Sequence, residues 1–207
     1  MRYTTEHKTE TRKRILDAAG QLFRREGYGG SGIDGLTKAA GVTNGAFYGH
    51  FKSKREAFRT VVLAGLEQLR LAIAEVKAGN GAHWLKTFVD FYLGPKRTCD
   101  IGEACALPSF SPEMERADDE TRAAYETKLR GLIEEVSAGL PGGSAKEREE
   151  QAIALLAMLS GGVTLARAVP DPALSERIAQ AVGKMAVAMV ADAQPSPKRV
   201  SASSKPR

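Results

Sequence analysis

The chain has 207 residues, enough for one large or two small domains with a sizeable core. Hydrophobic residues make up 43% and charged residues 27%, as in an ordinary globular protein. No run of about 18 apolar residues is read, so no transmembrane helix is expected. The polar start MRYTTEHKTETRKR has no apolar signal core, and two cysteines form no disulfide framework, which points to a reducing cytosol. The net charge of +5 is unevenly spread. Residues 1–60 hold 12 Lys/Arg against 6 Asp/Glu, residues 61–193 hold 14 against 19, and residues 194–207 hold 4 against none. A basic head and tail around an acidic middle suit a partner of opposite charge, such as nucleic acid, at the head.

The first helix is expected over 10–27, with Ile15, Ala19, Leu22 and Phe23 on one apolar face and glycines at its end. Residues 31–51, SGIDGLTKAAGVTNGAFYGHF, then read as two short helices joined by a tight turn. Ser31 and Asp34 form a capping-box-like start, and Ile33, Leu36 and Ala40 recur at helical spacing. Gly41 ends that helix as a glycine does just past a C-terminus. Thr43 caps a second helix, over 44–51, whose inner side carries Phe47 and Phe51. Two short helices around a glycine turn are a helix-turn-helix pattern, whose second helix enters the major groove of double-stranded DNA.

That second helix offers a short polar surface. Thr43 and Asn44 stand at its N-terminal end, and an Asn can pair with an adenine edge in a bidentate way. Gly45 and Ala46 carry almost no side chain, which lets the backbone come close to the bases. Tyr48 and His50 are spaced to reach phosphates on either side. Gly49 is expected to weaken the helix by about 1 kcal/mol.

Ser53 and Glu56 form a second capping box, opening a helix that runs to Lys77. Residues 82–93 carry Trp84, Phe88, Phe91 and Tyr92 on the next helix. Residues 94–101 read as a loop, and 102–117 as a short helix broken by Pro108 and Pro112. Further helices are expected over 119–139, 145–168 and 172–192, the last with Pro172 in its first turn. Residues 194–207, QPSPKRVSASSKPR, read as a disordered basic tail.

Residues 11–61 resemble the TetR family of transcriptional regulators. The stretches TRKRILDAAGQLFRREGY, IDGLTKAAGV and FYGHFKSKREAF, in that order, carry the resemblance. It implies an all-α fold: an N-terminal three-helix helix-turn-helix DNA-binding domain (1–52), then a C-terminal helical ligand-binding and dimerisation domain (53–193). It implies phosphate contacts for Tyr48, His50 and Lys54, and a homodimer formed through the helices over 145–168 and 172–192. Ser160, Gly161, Gly162 and Ala166 would permit close helix approach there, or simply serve packing within the chain. The resemblance also implies a pocket for an unknown small-molecule effector, with Trp84, Phe88, Phe91, Phe110, Met114, Tyr125 and Met158 as candidate linings. The same aromatic spacing fits plain core.

The segment EACALPSFSPEMERA, with LARAVPDPALSERI further on, resembles a branch of the family whose C-terminal domain holds a G-C-x-L element. Ala104 replaces the glycine. Some members of that branch sense electrophiles or oxidants through the matching cysteine, here Cys105. A place near a helix start would lower its pKa; the plainer reading is a small buried hydrophobe.

The leading reading is therefore a repressor released by a small-molecule or redox effector, with a ligand-free regulator or nonspecific DNA binder as alternative. Catalysis finds no support. The Gly30, Gly32 and Gly35 match to G-x-G-x-x-G follows a helix, not a strand. His7, His50 and His83 lie far apart with no zinc spacing, so neither metal nor cofactor is expected.

Overall fold

A computed structural model describes residues 5–191. The described residues form ten α-helices and no strand, so the all-α class holds. They are α1 (Thr5–Gly30), α2 (Ile33–Ala40), α3 (Asn44–Tyr48), α4 (Lys54–Asn80), α5 (Trp84–Leu93), α6 (Pro95–Thr98), α7 (Ala106–Met114), α8 (Asp119–Ser137), α9 (Ala145–Ala168) and α10 (Pro172–Ala191). Two 3-10 turns, Gly81–His83 and Ile101–Glu103, join them. The tail expected over 194–207 lies outside the described residues.

Apolar side chains gather into two cores. The head core joins Ile15 and Phe23 of α1, Leu36 of α2, Phe47 and Phe51 around α3, and Phe58 and Val62 of α4. The α7 residues Phe110 and Met114 reach into it. The body core joins Leu66 and Ile73 of α4 with α5, Leu132 and Val136 of α8, and the inner faces of α9 and α10. Helix α4 thus serves both cores, its first half the head and its second half the body.

Several local expectations are corrected. Helix α1 runs past Gly27, which kinks it at φ 71°, a conformation that favours glycine. Ser31 does not cap α2: it is buried, and its hydroxyl donates to Gly27 O at 3.1 Å, closing the bend. Gly32 takes the N-cap position with no side-chain bond. Glu56 returns its carboxylate to the Lys52 N–H (2.7 Å), while Ser53 accepts from the Glu56 N–H. Residues 95–98, expected as loop, form the single turn α6, which Pro95 opens because its φ is already helical. Both Pro108 and Pro112 lie within α7. Pro108 falls in the first turn, where an N–H has no partner to lose.

Helix α9 corrects the reading of no apolar span. By length and composition alone it could cross a membrane, with a window of mean hydropathy 1.4. Here its Leu155, Leu159 and Val163 are buried in the body core. The small residues Gly162 and Ala166 face inward, Gly162 against Val182 of α10.

Candidate DNA interface and effector cavity

The turn between α2 and α3 is fixed by its own backbone. Gly41 adopts φ 62° and ψ 40°, and its N–H and that of Val42 return to Lys38 O and Thr37 O. The Thr43 hydroxyl accepts from the Ala46 N–H at 3.1 Å, the expected N-cap. Phe47 and Phe51 are buried in the head core, and Tyr48 on the opposite side is 55% exposed. Only five residues of the expected 44–51 are helical, because Gly49 caps α3 from outside it. The expected mid-helix cost at Gly49 therefore does not arise.

Two side chains assigned to DNA are already engaged within the protein. Asn44 Nδ2 donates to Asp34 Oδ1, and Asn44 Oδ1 accepts from the Thr37 hydroxyl, both at 2.8 Å. Asn44 thus ties α3 to α2, leaving one amide proton and one oxygen lone pair uncommitted. Lys54 Nζ donates to Tyr28 O (2.7 Å) and Ser31 O (2.8 Å), and lies 4.2 Å from the centroid of the Tyr28 ring. A cation on the last carbonyls of α1 is well placed for the helix dipole. That role, rather than a free phosphate contact, is what the geometry gives Lys54.

His50 is half-buried beside α1. Burial first, then the charges of Lys8 and Arg12, hold its pKa below 6.5. The Arg12 guanidinium lies 5.0 Å from the Phe51 ring centroid. Lys8, Arg12 and His50 thus form a basic cluster. Lys8 escapes sequence reasoning because it precedes the expected start of α1.

In the body, a cavity of about 290 Å³ opens between α1, α4, α5 and the 96–106 segment. Of the seven expected lining residues only Phe88 and Phe91 border it. Phe110 and Met114 belong to the head core instead, and Tyr125 bonds its hydroxyl to Ser111 Oγ at 2.6 Å. Trp84 donates to Gly139 O at 2.9 Å, and Met158 packs on the body core. Aromatic spacing marks the buried face of a helix, not the gap beside it.

Arg24, Tyr92, Lys96 and Cys105 supply the cavity's polar lining, with Gln68 and Glu103. Cys105 is buried at the start of α7, and burial pushes its thiol up. Tyr92, the Leu107 N–H, Lys96 and Arg24 oppose that shift without reversing it, so the expected lowering is corrected. Cys99, half-buried, donates to Lys96 O at 3.3 Å and accepts from Arg167 Nη2 at 3.2 Å. Both thiols are free. No group of three or more His, Cys, Asp or Glu among the described residues is arranged to hold a metal.

The fold and the exposed, capped α3 define a helix-turn-helix DNA-binding protein. Residues 15–61 match the family model "Bacterial regulatory proteins, tetR family". The chain is 30% identical over 145 residues to the HTH-type transcriptional repressor NemR of Escherichia coli, covering 67% of this chain and 70% of NemR. It is 30% identical over 129 residues to the HTH-type transcriptional repressor DhaR of Mycobacterium sp. strain GP1, with 62% of each chain covered. The match therefore spans less than two thirds of DhaR. Among solved structures, E. coli NemR in reduced form superposes with a TM-score of 0.75 at 21% identity, over 91% of this chain and 99% of that one. A TetR-family regulator from Agrobacterium tumefaciens gives 0.73 at 18%, over 91% and 100%. The chain belongs to the TetR family of transcriptional regulators.

Proposed function

We propose that this chain is a cytoplasmic transcriptional repressor that binds a double-stranded DNA operator as a homodimer and is released by a small molecule entering the cavity. Residues 1–52 act as the DNA-binding head, 53–193 as the ligand-binding and dimerisation body. The observation that carries the reading is the capped, solvent-facing α3, with Tyr48 exposed on it and a basic cluster beside it. Thr43, Gly45 and Ala46 bring the helix close to the bases, and Tyr48 and His50 hold the backbone. The Asn44 bonds to Asp34 and Thr37 set the pose of α3, and its uncommitted amide proton and oxygen lone pair read the base.

Selection from a random duplex library at near-physiological salt tests this. A two-fold-symmetric motif is expected, since such dimers read half-sites about 34–36 Å apart. Asn44→Ala should relax base preference, whereas Tyr48→Phe should weaken all sequences alike. Enrichment without any motif would make the protein a nonspecific binder and end the role of α3.

A second reading has a specific support: Cys105 borders the same cavity, so an electrophile or oxidant small enough to enter it reaches the thiol. Duplex release by hydrogen peroxide that persists in Cys105→Ser would remove it.

A further inference from the structure

Two residues that border the cavity carry a buried polar atom with no nitrogen or oxygen partner. Tyr92 is 3% exposed, and its hydroxyl meets no nitrogen or oxygen of the protein. Its one partner is the Cys105 thiol, a weak hydrogen-bonding group. Arg24 Nε is also buried, with no partner. A buried polar group without a strong partner is costly, so a native protein that keeps two at the wall of one cavity calls for an explanation. Arg24 Nε can only donate, and the tyrosine hydroxyl is free to donate. Lys96 adds a second positive charge, with one of its three protons on Glu103 O at 3.0 Å. The rest of the wall, including Leu69, Val76, Phe88 and Phe91, is apolar.

We propose that this cavity binds a small organic monocarboxylate, its apolar body against Phe88 and Phe91 and its two oxygens on Arg24 and Tyr92. A carboxylate has one acceptor oxygen for the Arg24 guanidinium and one for the Tyr92 hydroxyl, which exchanges the weak thiol for a stronger acceptor. A phosphate would bring more charge and a further oxygen than these donors satisfy, and Glu103 at the exposed rim opposes it. A volume of about 290 Å³ limits the body to one ring or a short chain. The inference deepens the proposed effector site and rests on that reading for its consequence. Arg24 belongs to α1. Its Nη1 donates to Gly20 O at 2.9 Å, and its guanidinium lies 5.0 Å from the centroid of Phe110 in the head core. A ligand that draws on Arg24 therefore pulls directly on the first helix of the head.

Calorimetry on the full chain with phenylacetate, hexanoate, phenylacetamide and phenethylamine tests the chemistry. The two acids should bind, phenylacetate about tenfold or more tighter than its amide. Tyr92→Phe should weaken phenylacetate by about tenfold while leaving the unliganded melting temperature equal or higher, because it removes a buried hydroxyl held only by a thiol. Arg24→Gln should abolish the preference for acid over amide. Equal binding of acid and amide, tighter binding of the amine, no binding of either acid, or full affinity in Tyr92→Phe would overturn the proposal. The selected duplex is titrated in parallel, with and without phenylacetate. Sequence-specific DNA binding without carboxylate binding sinks only this inference; carboxylate binding without a preferred duplex sinks the regulator reading instead.

Discussion

His50 shows how one side chain can report the DNA interface. In the free protein burial first, and then the charges of Lys8 and Arg12, hold its pKa below the usual histidine value. A phosphate brought within about 4–6 Å would favour the charged ring and raise that pKa. The complex would then bind more protons than the free protein in the window between the two values. Affinity should therefore rise as pH falls through that window. Titrating the selected duplex across this range should show the rise, and His50→Gln should flatten it. An unchanged slope in the variant would remove His50 from the phosphate contacts. Asn44 and Lys54 mark where sequence reading stops at this scale. An amide that suits an adenine edge also suits a carboxylate and a hydroxyl, and a cation that suits a phosphate also suits the end of a helix. The sequence supplies the chemistry of each group. Which partner it finds depends on Asp34, Thr37, Tyr28 and Ser31 being folded beside it.

Two glycines separate a point where helices touch from one where a side chain has room. A Cβ built on Gly162 of α9 would lie 2.8 Å from a Val182 methyl of α10, so α9 and α10 meet at that point. One built on Gly131 of α8 would find only Arg70 Cδ, at 3.9 Å, an ordinary contact. Gly131→Ala should thus gain the helix propensity of alanine, about 0.5–1 kcal/mol. Gly162→Ala should cost about 1–3 kcal/mol, because overpacking outweighs that gain. Urea denaturation of both variants measures the pair, and a stabilised Gly162→Ala would show that α10 yields freely. The long helices were legible because punctuation and periodicity agree: α9 covers the expected 145–168, and α10 opens at Pro172, two residues past the loop residue Pro170. The single-turn α6 was not, since four residues carry no periodicity. Ser144 and Glu147 form a complete capping box, a signature that could have been read from S-x-x-E before α9. The cavity was illegible for another reason: it is bordered by parts of four segments, and its polar lining includes Arg24 from the far end of the chain.

On the scale of the molecule, the outer faces of the last two helices remain unexplained by one chain. Leu165 of α9 and Met185 of α10 are 61% and 58% exposed, and Ile153 and Leu174 are also open to solvent. Leu174 and Met185, eleven positions apart, share one face of α10, since eleven residues make about three turns. The inner faces already fill the body core, so these apolar groups are open to the second copy proposed above. One short α3 contacts few base pairs, and pairing two heads on a two-fold operator multiplies what each reads. A charge placed in such an interface would be desolvated without a partner. Leu165→Asp combined with Met185→Asp should therefore convert a dimer to a folded monomer, seen as halved mass by sedimentation with unchanged helical circular dichroism. The monomer should lose preference for the symmetric duplex yet keep weak, salt-sensitive binding, because the basic head is intact and counterion release needs no sequence. A wild-type chain that sediments as a monomer at micromolar concentration would leave the outer face of α9 and α10 without this role. Double-variant monomers that still prefer the symmetric site would show that a single head suffices to read it.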